Sequence, residues 1–416
     1  MNIVNAVIKM GPAILMPIIF FVVSILIRMK IGVALKAALL IGVGFTGLNM
    51  SIDLLLTQLG PATKAMIRSL GVNLTVVDTG WAVTSQIGWG SKIMPFAVVT
   101  FLGINLLMFA LKLTKTIDID VFNYWSFLAI GAMVFSITKS IIISVVCIAT
   151  LFGLVLIVAD KTAGKMQTVF GVKGLSFPHL TNIVYIPFGI VVTKIIDAIP
   201  GLNKIQIRPD TINKRFGALG DPVVIGFILG VVMGILAKYN LSKLLLLSMS
   251  VASAMVLIPK MIEILLDGLN IVRASFEITV HRRYPDREIN IGMDIALLAG
   301  DASIIASGLL LIPIVLILAV ILPGNRVLPF ADLPSLFLLL PMLSAYCRKD
   351  MFRMVITGTV ISVLILYIGT DISNIYTAAA HASSVHISSS FNKISGLNNS
   401  NTSPVGWIIY KVTGLF

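Results

Sequence analysis

Apolar residues in this chain gather into long unbroken blocks, and polar positions are confined to short stretches between them. "GPAILMPIIFFVVSILI" (11–27), "IIISVVCIATLFGLVLIVA" (141–159) and "IIASGLLLIPIVLILAVIL" (304–322) each approach the ~20 residues needed to cross a hydrocarbon core of about 30 Å. Blocks with no polar face predict membrane spans rather than surface helices. The expected fold class is therefore an all-α polytopic membrane protein. Spans are predicted near 11–27, 31–56, 93–111, 124–138 and 141–159. A second set falls near 222–237, 241–266, 304–322, 333–347 and 351–369. Lys9 and Arg28 bracket the first block and no small-residue cleavage site follows it, so it reads as a retained helix rather than a signal peptide.

The punctuation between blocks repeats. Pro12 and Pro222 open apolar blocks 210 residues apart, and Arg28 and Lys238 close them at the same offset. That offset also sets "SIDLLLTQL" (51–59) over "MIEILLDGL" (261–269), acid on acid. At an offset of 212, Gly80, Gly88 and Ser91 fall on Gly292, Gly300 and Ser303; at 209, "SFLAIGAM" (126–133) falls on "SLFLLLPM" (335–342), and Lys139 on Arg348. The chain reads as two transmembrane repeats, 1–160 and 211–370. A cytoplasmic or re-entrant linker, 161–210, joins them, and a polar C-terminal tail, 371–416, follows. Two-fold repeats are a transporter signature. Five spans per copy is an odd number, so the copies are inverted if the linker does not cross. With the N-terminus outside, the larger share of Lys and Arg falls on inside segments, as the positive-inside rule favours. "IVYIPFGIVVTKII" (183–196) is short for a span and reads as re-entrant or interfacial.

Composition agrees. Of 416 residues 57% are hydrophobic and only 12% charged, with a mean hydropathy of +1.02. Soluble domains carry about 25% charged residues, so a soluble fold is excluded. The net charge of +13 then points to cytoplasmic loops beside anionic lipid, not to nucleic acid. Cys147 and Cys347 lie in or beside apolar runs without redox or metal spacing and read as packing thiols.

Two stretches break the apolar pattern at matching places. "GWAVTSQIGWGSK" (80–92) and "INIGMDIALLAGDASIIASG" (289–308) are too polar and glycine-rich for lipid-facing helix. Irregular backbone at membrane depth survives only where protein or a water-filled cavity covers it. Matched Gly-interrupted segments are the best sequence pointer to a transport site, so both are expected to be re-entrant hairpins meeting substrate. Surface loops are the plainer alternative. Asp294 and Asp301 are candidate ligands, or caps of a broken helix. Trp81 and Trp89 fit either an interfacial belt or stacking on a sugar. Of four histidines, only His179 in "GLSFPHLTNIVYIPFG" (174–189) is placed to bond a hydroxyl, though a packing role is as consistent. No HExxH, Walker A, GxSxG or paired-carboxylate motif is present.

"IGVGFTGLNMSIDLL" (41–55), "VDTGWAVTSQIGWGSKIMPFAVV" (77–99), "LSFPHLTN" (175–182) and "LPGNRVLPFADLPSL" (322–336) resemble the membrane IIC component of the bacterial phosphotransferase system (PTS), galactitol family, in the ascorbate–galactitol superfamily. The resemblance spans nearly the whole chain. It implies a homodimeric elevator-type transporter in the bacterial cytoplasmic (inner) membrane. In it, the first two helices of each inverted repeat form a scaffold, and a mobile core carries the hairpins. It implies group translocation: a polyol, galactitol by default, is bound outside and presented inside. There the partner IIB, supplied by IIA upstream, transfers phosphate from a phosphocysteine. Carried over residue by residue, the substrate contacts are Thr84, Ser85 and Gln86 of the first hairpin, His179 of the linker, and Asp294 and Asp301 of the second hairpin. Asp332 in "FADLPS" joins them, and Asp301 is the expected base. Polyol hydroxyls suit such groups, because carboxylates accept, Gln does both and imidazole does either. No metal, cofactor, nucleic-acid partner or phosphorylation site on this chain is expected. The basic loop 273–287 is a dock for the partner or for lipid headgroups. An ion-coupled secondary transporter with Asp294 or Asp301 as proton carrier is the alternative.

Overall fold

The computed structural model describes residues 12–26, 28–69, 74–209, 221–283, 288–385, 393–397 and 400–415. The first half runs α1 (Pro12–Leu26), α2 (Ile31–Ser69), β1 (Val76–Asp78), α3 (Gly80–Trp89), α4 (Met94–Ala110), β2 (Thr116–Asp118), α5 (Trp125–Thr138), α6 (Ile141–Phe170), β3 (Leu175–Ser176), α7 (Leu180–Ile183) and α8 (Ile186–Ala198). The second runs α9 (Pro222–Leu236), α10 (Leu241–Arg283), β4 (Asn290–Gly292), α11 (Ala302–Ile321), β5 (Val327–Leu328), α12 (Pro341–Tyr346), α13 (Met351–Ala382), β6 (Lys393–Ser395) and α14 (Pro404–Thr413). The chain is mostly helical, as its sequence predicts. Arg287 of the basic loop lies outside the described residues.

Helices α1, α2, α9 and α10 pack mainly on one another, with α2 against α10 at the centre. Glycine sets that contact: a Cβ at Gly44 would sit 2.5 Å from Leu265 Cβ, and one at Gly268 2.8 Å from the Ala37 carbonyl oxygen. Large apolar side chains such as Leu39, Val43, Leu246 and Met249 stay exposed on these helices, a surface that lipid rather than water would cover. Helices α1 and α9, 15 residues each, both close on a basic residue in left-handed backbone, Arg28 (φ 63) and Lys238 (φ 53). A cation suits the negative, carbonyl end of a helix.

Among the described residues, six helices are long and apolar enough to cross a membrane. They become seven if α3 and α4, which meet at 91°, count as one broken span. The 11–27 and 222–237 blocks, as 15-residue helices, fall short of that length, and two further predicted spans take another form. The 124–138 block is a 14-residue helix, and the 333–347 block is a 3-10 segment (Leu333–Leu339) followed by the six-residue α12. Pro334 and Pro341 remove backbone donors there, and most residues of both blocks are buried. Surrounding protein rather than lipid makes such backbone tolerable. The 183–196 stretch, read as re-entrant or interfacial, extends into α7 and α8, together 19 residues and apolar enough to span.

Among the described residues, six very short strands form two parallel sheets, ordered β5-β1-β6 and β2-β4-β3. Each takes its middle strand from one half and both outer strands from the other. Val76 lies opposite Val327 and Lys393; Ile291 lies opposite Ile117 and Leu175. The residues read as a polar tail are therefore partly core. Ser400, Asn401, Thr402 and Ser403 are fully buried. Ser400 Oγ donates to the Ser126 carbonyl (2.6 Å) and Tyr410 O–H to Asn401 Oδ1 (2.7 Å), so both hydroxyls are paired despite their burial.

Candidate functional site

Parallel strands end on the same side, so whatever follows β2, β3 and β4 converges. Asn123 follows β2, His179 and Thr181 follow β3, and Asp294 follows β4; all four line one cavity of about 320 Å³. The pairing that fixes this is direct, since the Met293 N–H donates to the Ser176 carbonyl at 2.9 Å. Trp81 at the start of α3 and Trp125 at the start of α5 also line it, their rings tilted at 43° with centroids 6.2 Å apart. One face of α2 closes the opposite wall. The volume lies at the lower end of the ~300–1,000 Å³ typical of small-molecule sites.

His179 is buried in extended backbone just before α7, and its Nδ1 lies 2.6 Å from Thr181 Oγ1. Asp294 caps the 3-10 turn Ile295–Leu297, accepting the Ala296 N–H at 2.8 Å. Behind them stand two carboxyls that sequence reading passed over. Asp118 accepts the Asp120 N–H at 3.1 Å, and Asp120 bonds the Asn123 amide. Both acids are buried and lie outside the spanning helices. Burial pushes Asp118 up to about 7. Burial pushes Asp120 well above the carboxylate range, and the nearby charges of Asp294 and Asp118 add to the rise. Burial holds His179 below its ordinary value, against the pull of Asp294. The sequence signal was "TIDID" (116–120), two acids in alternation at the edge of an apolar block.

The other predicted contacts lie elsewhere. Thr84 is buried in α3, with its hydroxyl 2.5 Å from the Tyr376 hydroxyl. Ser85 is buried and Gln86 exposed on the same helix; neither is among the cavity's lining residues. Asp301 caps α11 through the Ser303 N–H (2.9 Å) and pairs with Lys349 Nζ at 2.8 Å. Asp332 is fully buried, accepting the Trp81 N–H (2.8 Å) and the Leu397 N–H (3.0 Å). It lies beside Asp78, which accepts the N–H groups of Gly80, Phe330 and Asp332. Thus His179 and Asp294 come together in the cavity, while Asp332 holds the start of α3, whose Gly80 is left-handed (φ 83). No group of three or more His, Cys, Asp or Glu that could hold a metal occurs among the described residues.

A family model described as "PTS system sugar-specific permease component" (EIIC-GAT) matches residues 6–389. The chain is 32% identical over 415 residues to the PTS system galactitol-specific EIIC component of Escherichia coli (strain K12), covering 99% of this chain and 90% of that one. It is 33% identical over 409 residues to a permease IIC component of the same organism, covering 98% and 93%.

Proposed function

Because the chain belongs to the PTS sugar-specific permease family, a multi-pass permease of the bacterial inner membrane, we propose that it binds galactitol in the cavity at the ends of β2, β3 and β4. There it presents the polyol to a phosphorylated IIB. The cavity carries the reading. It brings an imidazole, two carboxylates and three amide or hydroxyl groups together against tryptophan faces inside a spanning protein. Hydroxyls can both donate to Asp294 and accept from His179 or Asn123, and the tryptophan rings can cover C–H faces. In the transfer step the hydroxyl oxygen attacks phosphorus, its proton passes to a carboxylate, and the P–S bond breaks to leave the partner's thiolate. We assign that role to Asp294, which lines the cavity beside His179. Asp301, held by Lys349 and by the cap of α11, fits the role of fixing the second hairpin. Thr84, Ser85 and Gln86 shape the first hairpin, and Asp332 anchors it.

The same reading takes the halves as inverted repeats. Its support is the exchange of strands between the sheets and the matched left-handed ends, Arg28 with Lys238 and Lys139 with Arg348. The linker and the tail become the last part of each unit, since Pro187–Gly189 and Pro404–Gly406 each open a helix after an outer strand. Helices α1, α2, α9 and α10 are then a scaffold, and the sheet-bearing remainder moves against it as an elevator in a homodimer.

Two results test this. Right-side-out vesicles loaded with phosphorylated IIB should convert labelled galactitol added outside to its phosphate, and vesicles lacking this chain should not; equal conversion in both would sink the substrate reading. In a variant without Cys147 and Cys347, a cysteine at exposed Arg326 should react with an impermeant maleimide from outside, and one at exposed Lys204 from inside. Reaction of both from one side would end the inverted arrangement.

A further inference from the structure

The α2 wall of the cavity is formed by Asn49, Ile52, Asp53 and Leu56, a single helical face at i, i+3, i+4 and i+7. Asp53 lies deep within a 39-residue apolar helix, where an ionised group is costly and defaults to function. It is exposed toward the cavity and makes no hydrogen bond or ion pair among the described residues. At the matching place on α10, 210 residues on, Glu263 carries the same charge but lies 3.4 Å from Lys260 and lines no part of this cavity. The unpaired acid is the one that faces the site. No Lys or Arg is among the lining residues, so Asp53 and Asp294 leave the cavity net negative whether or not His179 is charged.

We propose that Asp53 is a charge filter on the scaffold side of the site: its carboxylate takes hydrogen bonds from the hydroxyls of a neutral polyol and repels anionic sugars, the phosphorylated product among them. This rests on the polyol reading above. Two carboxylates favour an uncharged ligand rich in donors, whereas a phosphate brings about two negative charges and only acceptor oxygens. The charge that rejects sugar acids at loading then speeds departure of the product once the phosphate is on. Asp53 sits on a different body from His179 and Asp294, so a polyol held between the walls loses one set of contacts if the bodies move apart.

The test is titration of galactitol and of galactitol phosphate into the purified full chain. Asp53→Asn keeps the shape, so it should weaken galactitol by about 5-fold and tighten the phosphate by about 10-fold, the scale of one nearby unit charge in a partly screened site. Asp53→Glu should restore the preference for the neutral ligand, and Glu263→Gln should behave as wild type. A ratio of the two affinities that stays at the wild-type value in Asp53→Asn overturns the filter alone. Failure of the wild type to bind galactitol overturns the substrate reading, and the filter falls with it.

Discussion

Replacing Asp294 by Asn should lower galactitol affinity by about 10- to 150-fold and leave the protein folded. A hydrogen bond to a charged group is worth about 1.5–3 kcal/mol, and each 1.4 kcal/mol is a factor of ten. The fold should survive because Asp294 has two separable jobs. Its Oδ1 caps the turn Ile295–Leu297 through the Ala296 N–H, which Asn caps equally well. Its charge faces the cavity between His179 and Asn123, and Asn lacks that charge. Asp294→Ala would lose both and confuse the result. Asp301→Asn is the contrast. It weakens the pair with Lys349 and keeps an acceptor for the Ser303 N–H, so it should change affinity by less than about 5-fold. Calorimetric titration with thermal melts of both variants decides. Wild-type affinity in folded Asp294→Asn, or a larger loss in Asp301→Asn, would move the site away from the β4 end and toward the α11 cap.

What was legible in the sequence follows from what carries long-range pattern. Spans are legible because lipid demands unbroken apolar runs, and Arg28 and Lys238 are legible as ends because a cation belongs at a helix C-terminus. His179 and Asp294 stood out as rare polar residues in apolar surroundings, and both line the cavity. The strands were hidden. Two or three residues such as Leu175–Ser176 carry no periodicity, and their parallel partners lie more than a hundred residues away. Without the strands, nothing in the sequence joins Asn123 to Asp294 or explains why "TIDID" is buried. The tail misled for a related reason. Ser400 to Ser403 read only as part of a polar tail, yet hydrogen bonds such as that to Ser126 let them be buried. Asp53 was seen only as half of a repeat match; its face on α2, visible once the cavity is drawn, gives it chemistry.

The largest effect on stability is expected at Arg353, which has no part in the cavity. Its side chain is 1% exposed, with Nη2 2.8 Å from Asp197 Oδ1, and Nη1 3.1 Å from the Ile205 carbonyl and 3.4 Å from Asp350 Oδ2. Asp350, fully buried, caps α13 through the Arg353 N–H and accepts the Ile207 N–H, both at 3.0 Å; Met351 N–H returns a bond to the Ile207 carbonyl at 2.8 Å. These bonds strap the connection between the halves onto the start of α13. Asp197 is also held by Arg348 at 2.5 Å, but that guanidinium is 53% exposed. The two arginines share one acid and differ in burial, so their loss should differ in cost. Arg348→Ala removes an exposed pair and should cost at most about 1 kcal/mol. Arg353→Met fills similar volume but strands the buried Asp350 charge, and should cost about 3–5 kcal/mol. Asp350 keeps two N–H donors, which places the expectation at the lower end. Adding Asp350→Asn to Arg353→Met removes the stranded charge and keeps an acceptor for the α13 cap, so at least about 1 kcal/mol should return. Denaturant titration in detergent micelles measures all four proteins. Equal costs for the two arginines, or no recovery in the double variant, would show that Arg353 contributes packing and not neutralisation of a buried charge.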